Sequence, residues 1–183
     1  MTHPLTQLIK DDMKPALGVT EPGAIAFAVA TAREKAGGTV QEVFLQLNSG
    51  MYKNAFTCGI PGSNHVGNSH AAALGATGAD PAKGLECLDG ITPAQRLAAE
   101  KLVEDGKIHV SMHSVTSRIY IEAKVVTDCG SATVLIQDSH TNITHVSVNG
   151  DQLESIFHSI MNKLKHFIFF FFYNIKNQFI VNL

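Results

Sequence analysis

The sequence predicts a mixed fold of helices and strands, an α+β arrangement in which helices pack on a small, largely antiparallel sheet. Its first half carries helical signals, among them the almost wholly apolar run of residues 24–32 and the Thr92-Pro93 helix start. From Lys107 onward, apolar side chains alternate with polar ones, as in strands that bury one face. Four short strands with brief connections predict an antiparallel meander.

Composition narrows the class of protein. At 183 residues, 45% of them hydrophobic, the chain is long enough for one domain with a sizeable core. Its formal net charge of −2 shows no basic excess, so we expect neither nucleic acid nor a membrane surface as partner. Three cysteines without a CxxC pair argue against a disulfide framework. Together with the polar residues 10–12, they predict a cytoplasmic protein.

The segment of residues 14–32 organises the rest of the chain. Thr20 is a good N-cap residue, Pro22 suits a first helical turn, and Ala24–Ala32 offers no polar face. We therefore predict a buried helix whose positive amino end carries Thr20 and Glu21, which suits a carboxylate, a phosphate or a cluster. The alternative is that Thr20 only caps the helix and Glu21 only complements its dipole.

Residues 50–70 form a second candidate region. Four glycines and Pro61 predict a loop whose backbone amides could approach a ligand closely. Lys53 and Asn54 would bring a cation and an amide to the same place, suitable for the carboxylate of an amino acid. A turn-rich connection with a solvated lysine is an equally open interpretation.

His140 is the third candidate, because Ser139-His140-Thr141-Asn142 clusters polar groups at a strand junction. It suits a general base, and it equally suits an ordinary turn. His109 and His113 lie about 13 Å apart on a predicted strand, too far to share a metal ion. The sequence therefore predicts no metal site.

Residues 151–183 differ in composition from residues 1–150, and we predict a boundary after Gly150. An amphipathic helix is predicted from Leu153 onward, and six of the ten phenylalanines fall at or after position 167. Such a run of Phe, Ile, Asn and Lys is typical of translated AT-rich DNA, which suggests a lost reading frame. A native aromatic tail is the alternative, although Phe167–Tyr173 is far shorter than the ~20 residues that span a membrane.

Three stretches resemble the L-cysteine desulfidase family, which is related to the alpha-type iron–sulfur L-serine dehydratases. Gly18-Val19-Thr20-Glu21-Pro22 looks like the Gly-Cys-Thr-Glu-Pro signature of that family. Lys53-Asn54, followed by residues 59–63 and 71–76, and then residues 140–143 agree with it in the same order. The resemblance covers roughly residues 10–150.

The resemblance implies an oxygen-sensitive [4Fe-4S] lyase that converts L-cysteine or L-serine to pyruvate and ammonia, with sulfide released from cysteine. It implies that the substrate is handled by Thr20, Glu21, Lys53, Asn54 and His140. Val19, however, occupies the position of the family's cluster cysteine, and the other two ligands lie in a carboxy-terminal half that this sequence does not include.

We therefore expect no cofactor in this chain and little or no lyase activity from it alone. Two alternatives stay open. The first is a non-catalytic module that binds a small amino acid or a partner chain, including a second copy of itself. The second is a subunit completed in trans by a chain that supplies the other cysteines.

Overall fold

The computed structural model describes residues 3–13 and 15–152, and it has the α+β architecture that the sequence predicts. The helices are α1 (Pro4–Asp12), α2 (Thr20–Ala36), α3 (Ser49–Thr57), α4 (Asn68–Thr77) and α5 (Pro93–Glu104), with a short 3₁₀ helix at Pro81–Glu86. The strands are β1 (Val40–Asn48), β2 (Ile108–Ser114), β3 (Tyr120–Thr127), β4 (Ser131–Gln137), β5 (Ile143–Val148) and β6 (Asp151–Gln152).

The predicted helix after Leu153 and the Phe-rich segment lie outside the described residues, so the boundary after Gly150 stays a prediction. Among the residues that the structure describes, no helix has the length and apolar character needed to cross a membrane.

The main sheet has the strand order β2-β1-β3-β4-β5 and is largely antiparallel. Strands β3, β4 and β5 form the predicted meander. The prediction that β2 also belongs to the meander is wrong, because β1 lies between β2 and β3. Val43 of β1 is opposite Ile108 in the parallel pair with β2 and opposite Val125 in the antiparallel pair with β3. The helices between β1 and β2 supply the long connection that a parallel pair needs.

Helix α2 is the buried centre of the fold. Every residue from Pro22 to Ala32 is buried, as the apolar run predicts. The helix packs against β3 and β4 on one side and against α4 on another. A Cβ atom at Gly75 of α4 would lie only 2.6 Å from the Ala26 carbonyl oxygen and 2.9 Å from Val29 Cβ. Because Gly75 has no side chain, the backbone of α4 can lie directly against Ala26 and Val29 of α2.

Helix α3 corrects the prediction that residues 50–70 are a loop. Residues 49–57 are helical, and only residues 58–67 form a loop, which a bridge between Gly59 and Val66 closes. Gly50 lies in the first helical turn, and the following seven residues contain no helix breaker. Lys53 and Asn54 therefore project from a helix.

Helix α5 begins at a capping box formed by Thr92 and Gln95, which confirms the predicted start. The helical spacing of the sequence places Leu97, Leu102 and Val103 on the inward face of α5, but this is wrong for Leu97, which is 66% exposed, whereas Ala99 is buried. The neighbouring helix α4 consists largely of small residues. The two helices approach closely along the Gln95–Ala99 face, where Thr77 Oγ1 donates to the Gln95 carbonyl at 3.0 Å.

Candidate functional site

The amino end of α2 is where most of the predicted site residues meet. The helix begins at Thr20, and the preceding Val19 is extended (φ −62°, ψ 129°) with no side-chain cap bond. The prediction that Thr20 is the N-cap is therefore wrong, because the helix starts one residue earlier than the capping pattern indicates. Its hydroxyl instead donates a long hydrogen bond of 3.3 Å to Glu21 Oε2. No side chain at the N-cap accepts from the first-turn amides, which suits anion binding.

His140 reaches this helix end from a distant part of the sequence. It lies in the turn between β4 and β5, and its Nε2 atom is 3.5 Å from Thr20 Oγ1, a residue 120 positions earlier. This distance is longer than an ordinary hydrogen bond, so it establishes proximity. Because α2 packs on β4, the turn that follows β4 lies beside the first turn of α2.

Helix α3 supplies the third side of the site. Asn54 Nδ2 donates to Glu21 Oε1 at 3.2 Å, so one carboxylate oxygen of Glu21 faces Asn54 and the other faces Thr20. We call Thr20, Glu21, Asn54 and His140 the helix-end cluster. Lys53 is exposed beside Asn54 in sequence, and its side chain makes no hydrogen bond or ion pair within the described part of the chain. The structure does not join Lys53 to the cluster.

The helix-end cluster combines groups of complementary chemistry on an accessible surface. Glu21 offers a carboxylate that accepts from a cation, the start of α2 offers amides that donate to an anion, and His140 offers an imidazole. Thr20, Glu21 and His140 are half-buried and Asn54 is exposed, so a small solute reaches them from solvent. Such a set can bind a molecule that carries both an ammonium and a carboxylate.

The chain is similar in sequence to several curated proteins. It is 39% identical over 145 residues to a UPF0597 protein of Clostridium botulinum (strain Langeland), which covers 79% of this chain and 34% of that relative. A UPF0597 protein of Oleidesulfovibrio alaskensis is 34% identical over 149 residues, 81% of this chain and 35% of that relative. A UPF0597 protein of Photobacterium profundum is 36% identical over 143 residues, 78% of this chain and 33% of that relative.

Most of the chain is therefore similar in sequence to UPF0597 proteins. It spans about a third of the length of the curated relatives it matches. No protein-family model matches the chain, and no solved structure matches it at a significant level. The name UPF0597 states no activity, so the comparisons establish relatedness and leave the lyase resemblance as a proposal.

The three cysteines lie in different parts of the fold, and the described residues do not bring them together as ligands of an iron–sulfur cluster. Cys87 is buried with its thiol 3.6 Å from the Gly23 carbonyl, and burial raises the pKa of that thiol to about 12. The thiol is therefore a weak nucleophile at neutral pH in the metal-free chain. Cys58 donates to the Asn54 carbonyl at 2.7 Å, and Cys129 is exposed between β3 and β4. Among the described residues, no group of three or more His, Cys, Asp or Glu side chains is placed to hold a metal ion.

Val19 lies at the helix-end cluster with 46% of its surface exposed. The position that the family resemblance assigns to a cluster cysteine therefore opens outward from the start of α2. A side chain at position 19 is therefore exposed to solvent, or to a partner chain if one covers this end of α2.

The structure contains a second cluster of polar side chains, which the sequence did not predict. The rings of His65 and His70 stack with their centres 4.4 Å apart, and His65 Nε2 lies 2.7 Å from Glu100 Oε1 on α5. No local pattern joins residues 35 positions apart, so the sequence carries no signal for this contact.

Proposed function

We propose that this chain carries the amino-acid-binding part of an elimination site like that of the L-cysteine desulfidases and L-serine dehydratases. The observation that supports the proposal is the meeting of Thr20, Glu21 and Asn54 with His140 at the amino end of α2. The family resemblance assigns these four residues to the substrate, although they come from three separate parts of the sequence.

The chemistry of the cluster suits L-cysteine and L-serine, which carry an ammonium and a carboxylate on one carbon. Glu21 would accept from the ammonium, and the first-turn amides of α2 would donate to the carboxylate, with Lys53 available as a nearby cation on α3. His140 would take the α-proton as general base. The loss of the thiol or hydroxyl requires a group that this chain does not supply, so we expect binding without turnover.

Ligand-dependent stability tests the proposal. We expect L-serine and L-cysteine to raise the midpoint of thermal unfolding, because one-site binding at about 100 Kd adds about 2.7 kcal/mol to the free energy of unfolding. The variant Glu21→Gln should lose this rise. The matched control Glu34→Gln changes an exposed carboxylate near the other end of the same helix and should keep it. No rise in the wild type, or an equal rise in Glu21→Gln, would refute the proposal.

A complementing chain is a second candidate, favoured by the exposed apolar side chains beside the cluster. Leu17 is 41% exposed and Val19 is 46% exposed, both directly before α2. A partner that covers them would close the open side of the site. Stable co-purification with a second polypeptide, made from the part of a UPF0597 protein that this chain does not match, would support this candidate. Separate elution of the two polypeptides would count against it.

A further inference from the structure

Strand β2 forms one edge of the main sheet. In the strand order β2-β1-β3-β4-β5, its one described strand partner is β1. Val43 N donates to the Lys107 carbonyl at 2.9 Å, which fixes the phase of this parallel ladder. Alternate residues from Lys107 onward therefore direct their backbone groups toward β1. The residues between them, Ile108, Val110 and Met112, direct their N–H and C=O groups toward the free edge.

The free edge of β2 lacks most of the features that keep strand edges from pairing. Its outward backbone groups have no hydrogen-bond partner among the described residues. Natural edges carry charged side chains, proline or bulges, because unpaired backbone groups otherwise pair with another strand. Residues 108–117 contain no Asp, Glu, Lys, Arg or Pro. The one irregularity in the pairing with β1 lies at Met112–Ser114, so Ile108–Met112 is regular and unprotected.

The side chains on the open face of the sheet hold β2 in place. The ring of His109 stacks on Phe44 of β1 with the ring centres 4.6 Å apart. The ring of His113 stacks on Tyr120 of β3 at 4.1 Å. The outward backbone groups of β2 are therefore already ordered, which lowers the entropy lost when another strand pairs with them.

The sequence of β2 is self-complementary in an antiparallel pair. Its apolar side chains, Ile108, Val110 and Met112, are spaced evenly about Val110. A two-fold axis at Val110 would place this residue opposite its own copy and Ile108 opposite Met112 of the second chain. These residues carry the outward backbone groups, so each opposed pair would exchange both backbone hydrogen bonds. No like charges would face each other across the pair.

Exposed apolar side chains flank this edge on the side of the sheet that the helices cover. Met112 is 53% exposed. Phe56 and Val66 are 61% and 53% exposed, and both line one cleft with Val110. Antiparallel pairing of two β2 strands would cover Met112 and place the two flanks beside each other on one side of the joined sheet. Apolar area of this kind is typical of protein–protein contacts.

We propose that two copies of this chain associate through antiparallel pairing of their β2 edges, which joins the two sheets into one. A second copy fits this edge because the apolar residues are symmetric about Val110 and no charge on one copy opposes the same charge on the other. The inference does not depend on the proposed elimination site, since no residue of the helix-end cluster takes part.

Sedimentation equilibrium tests the proposal over about a hundredfold range of protein concentration. We expect the wild type to change from the 19.7 kDa monomer to twice that mass as the concentration rises. Met112→Lys places a charge on the edge and should remain monomeric throughout. The matched control Leu97→Lys adds the same charge at an exposed apolar residue of α5 and should dimerise as the wild type does.

Hydrogen exchange measured by NMR identifies the surface that pairs. The amides of Ile108, Val110 and Met112 should exchange more slowly as the dimer forms. The amides of His109 and Ser111 face β1, so they should be protected at every concentration. Val110→Pro removes one outward N–H without removing a hydrogen bond to β1, and it should also weaken the dimer.

A monomer at every concentration would overturn the proposal, and so would association that survives Met112→Lys. A dimer in which the three outward amides exchange at an unchanged rate would overturn it as well, because the two copies would then meet at another surface.

Discussion

The carboxylate of Glu21 makes two interactions in the structure, one with its own helix and one with α3. Its carboxylate stands in the first turn of α2, where a negative charge stabilises the helix by about 0.3–1 kcal/mol. The same carboxylate lies 3.2 Å from Asn54 Nδ2 on another helix. A residue that only complements the dipole needs no such partner, so the contact favours the interpretation as part of a site.

The identity of the cluster residues was predictable, whereas their contacts were not. Thr20, Glu21 and Asn54 stand out through local motifs, and His140 through a polar turn. The approach of His140 to Thr20 depends on how β4 packs against α2, which no local pattern encodes. The predicted capping role of Thr20 was wrong for a different reason, because α2 begins at Thr20 itself and Val19 is the N-cap residue.

Cys87 gives a prediction at the level of one thiol. Its burial raises the pKa to about 12, so we expect it to resist a thiol reagent at about pH 8 while Cys58 and Cys129 react. The thiol of Cys87 should react only after denaturation, and in Cys87→Ala no third thiol should react even then. Three thiols reacting at one rate in the native protein would contradict the burial.

The raised pKa of Cys87 also makes the free energy of unfolding depend on pH. The folded-state pKa of Cys87 lies above the unfolded value near 9, so the folded state holds its proton more tightly. This contribution is fully present below about pH 9 and is lost as the pH rises toward 12. In Cys87→Ala, the free energy of unfolding should fall less steeply over that range.

At the level of elements, the close packing of α2 on α4 depends on Gly75. Gly75→Ala should lower the free energy of unfolding by about 1–3 kcal/mol, because the new methyl group would overlap the Ala26 carbonyl and Val29. The matched control is Gly59→Ala, where a Cβ atom would meet nothing within 4 Å. Urea denaturation measures both, and equal stability of the two variants would contradict the packing described here.

Strands and faces were predictable from the sequence, but strand neighbours were not. The alternation in β1 marks Val43, Leu45 and Leu47 as the buried face, and all three are buried. Nothing in that alternation states that β1 enters the sheet between β2 and β3. In α5, the periodicity placed Leu97 on the inward face with Leu102 and Val103, but the packing of the helix leaves Leu97 exposed and buries Ala99.

At the scale of the whole molecule, the chain spans about a third of the length of the curated relatives it matches, and its candidate site is partly exposed to solvent. We expect no pyruvate release from L-cysteine or L-serine by this chain after anaerobic iron and sulfide reconstitution. Co-expression with the remaining length of a UPF0597 relative should restore activity only when Val19→Cys is also made. Activity of the unchanged chain alone, or rescue with Val19 retained, would contradict this expectation.

The most direct test of the central claim is to follow the His140 ring resonances by NMR while L-serine is added. Assignment uses His140→Gln, which removes the corresponding signals. If the helix-end cluster binds the amino acid, the His140 signals shift and saturate in the wild type and in Glu34→Gln, and they do not move in Glu21→Gln. Unchanged His140 signals in the wild type, or the same saturable shift in Glu21→Gln, would show that the cluster is not an amino-acid site.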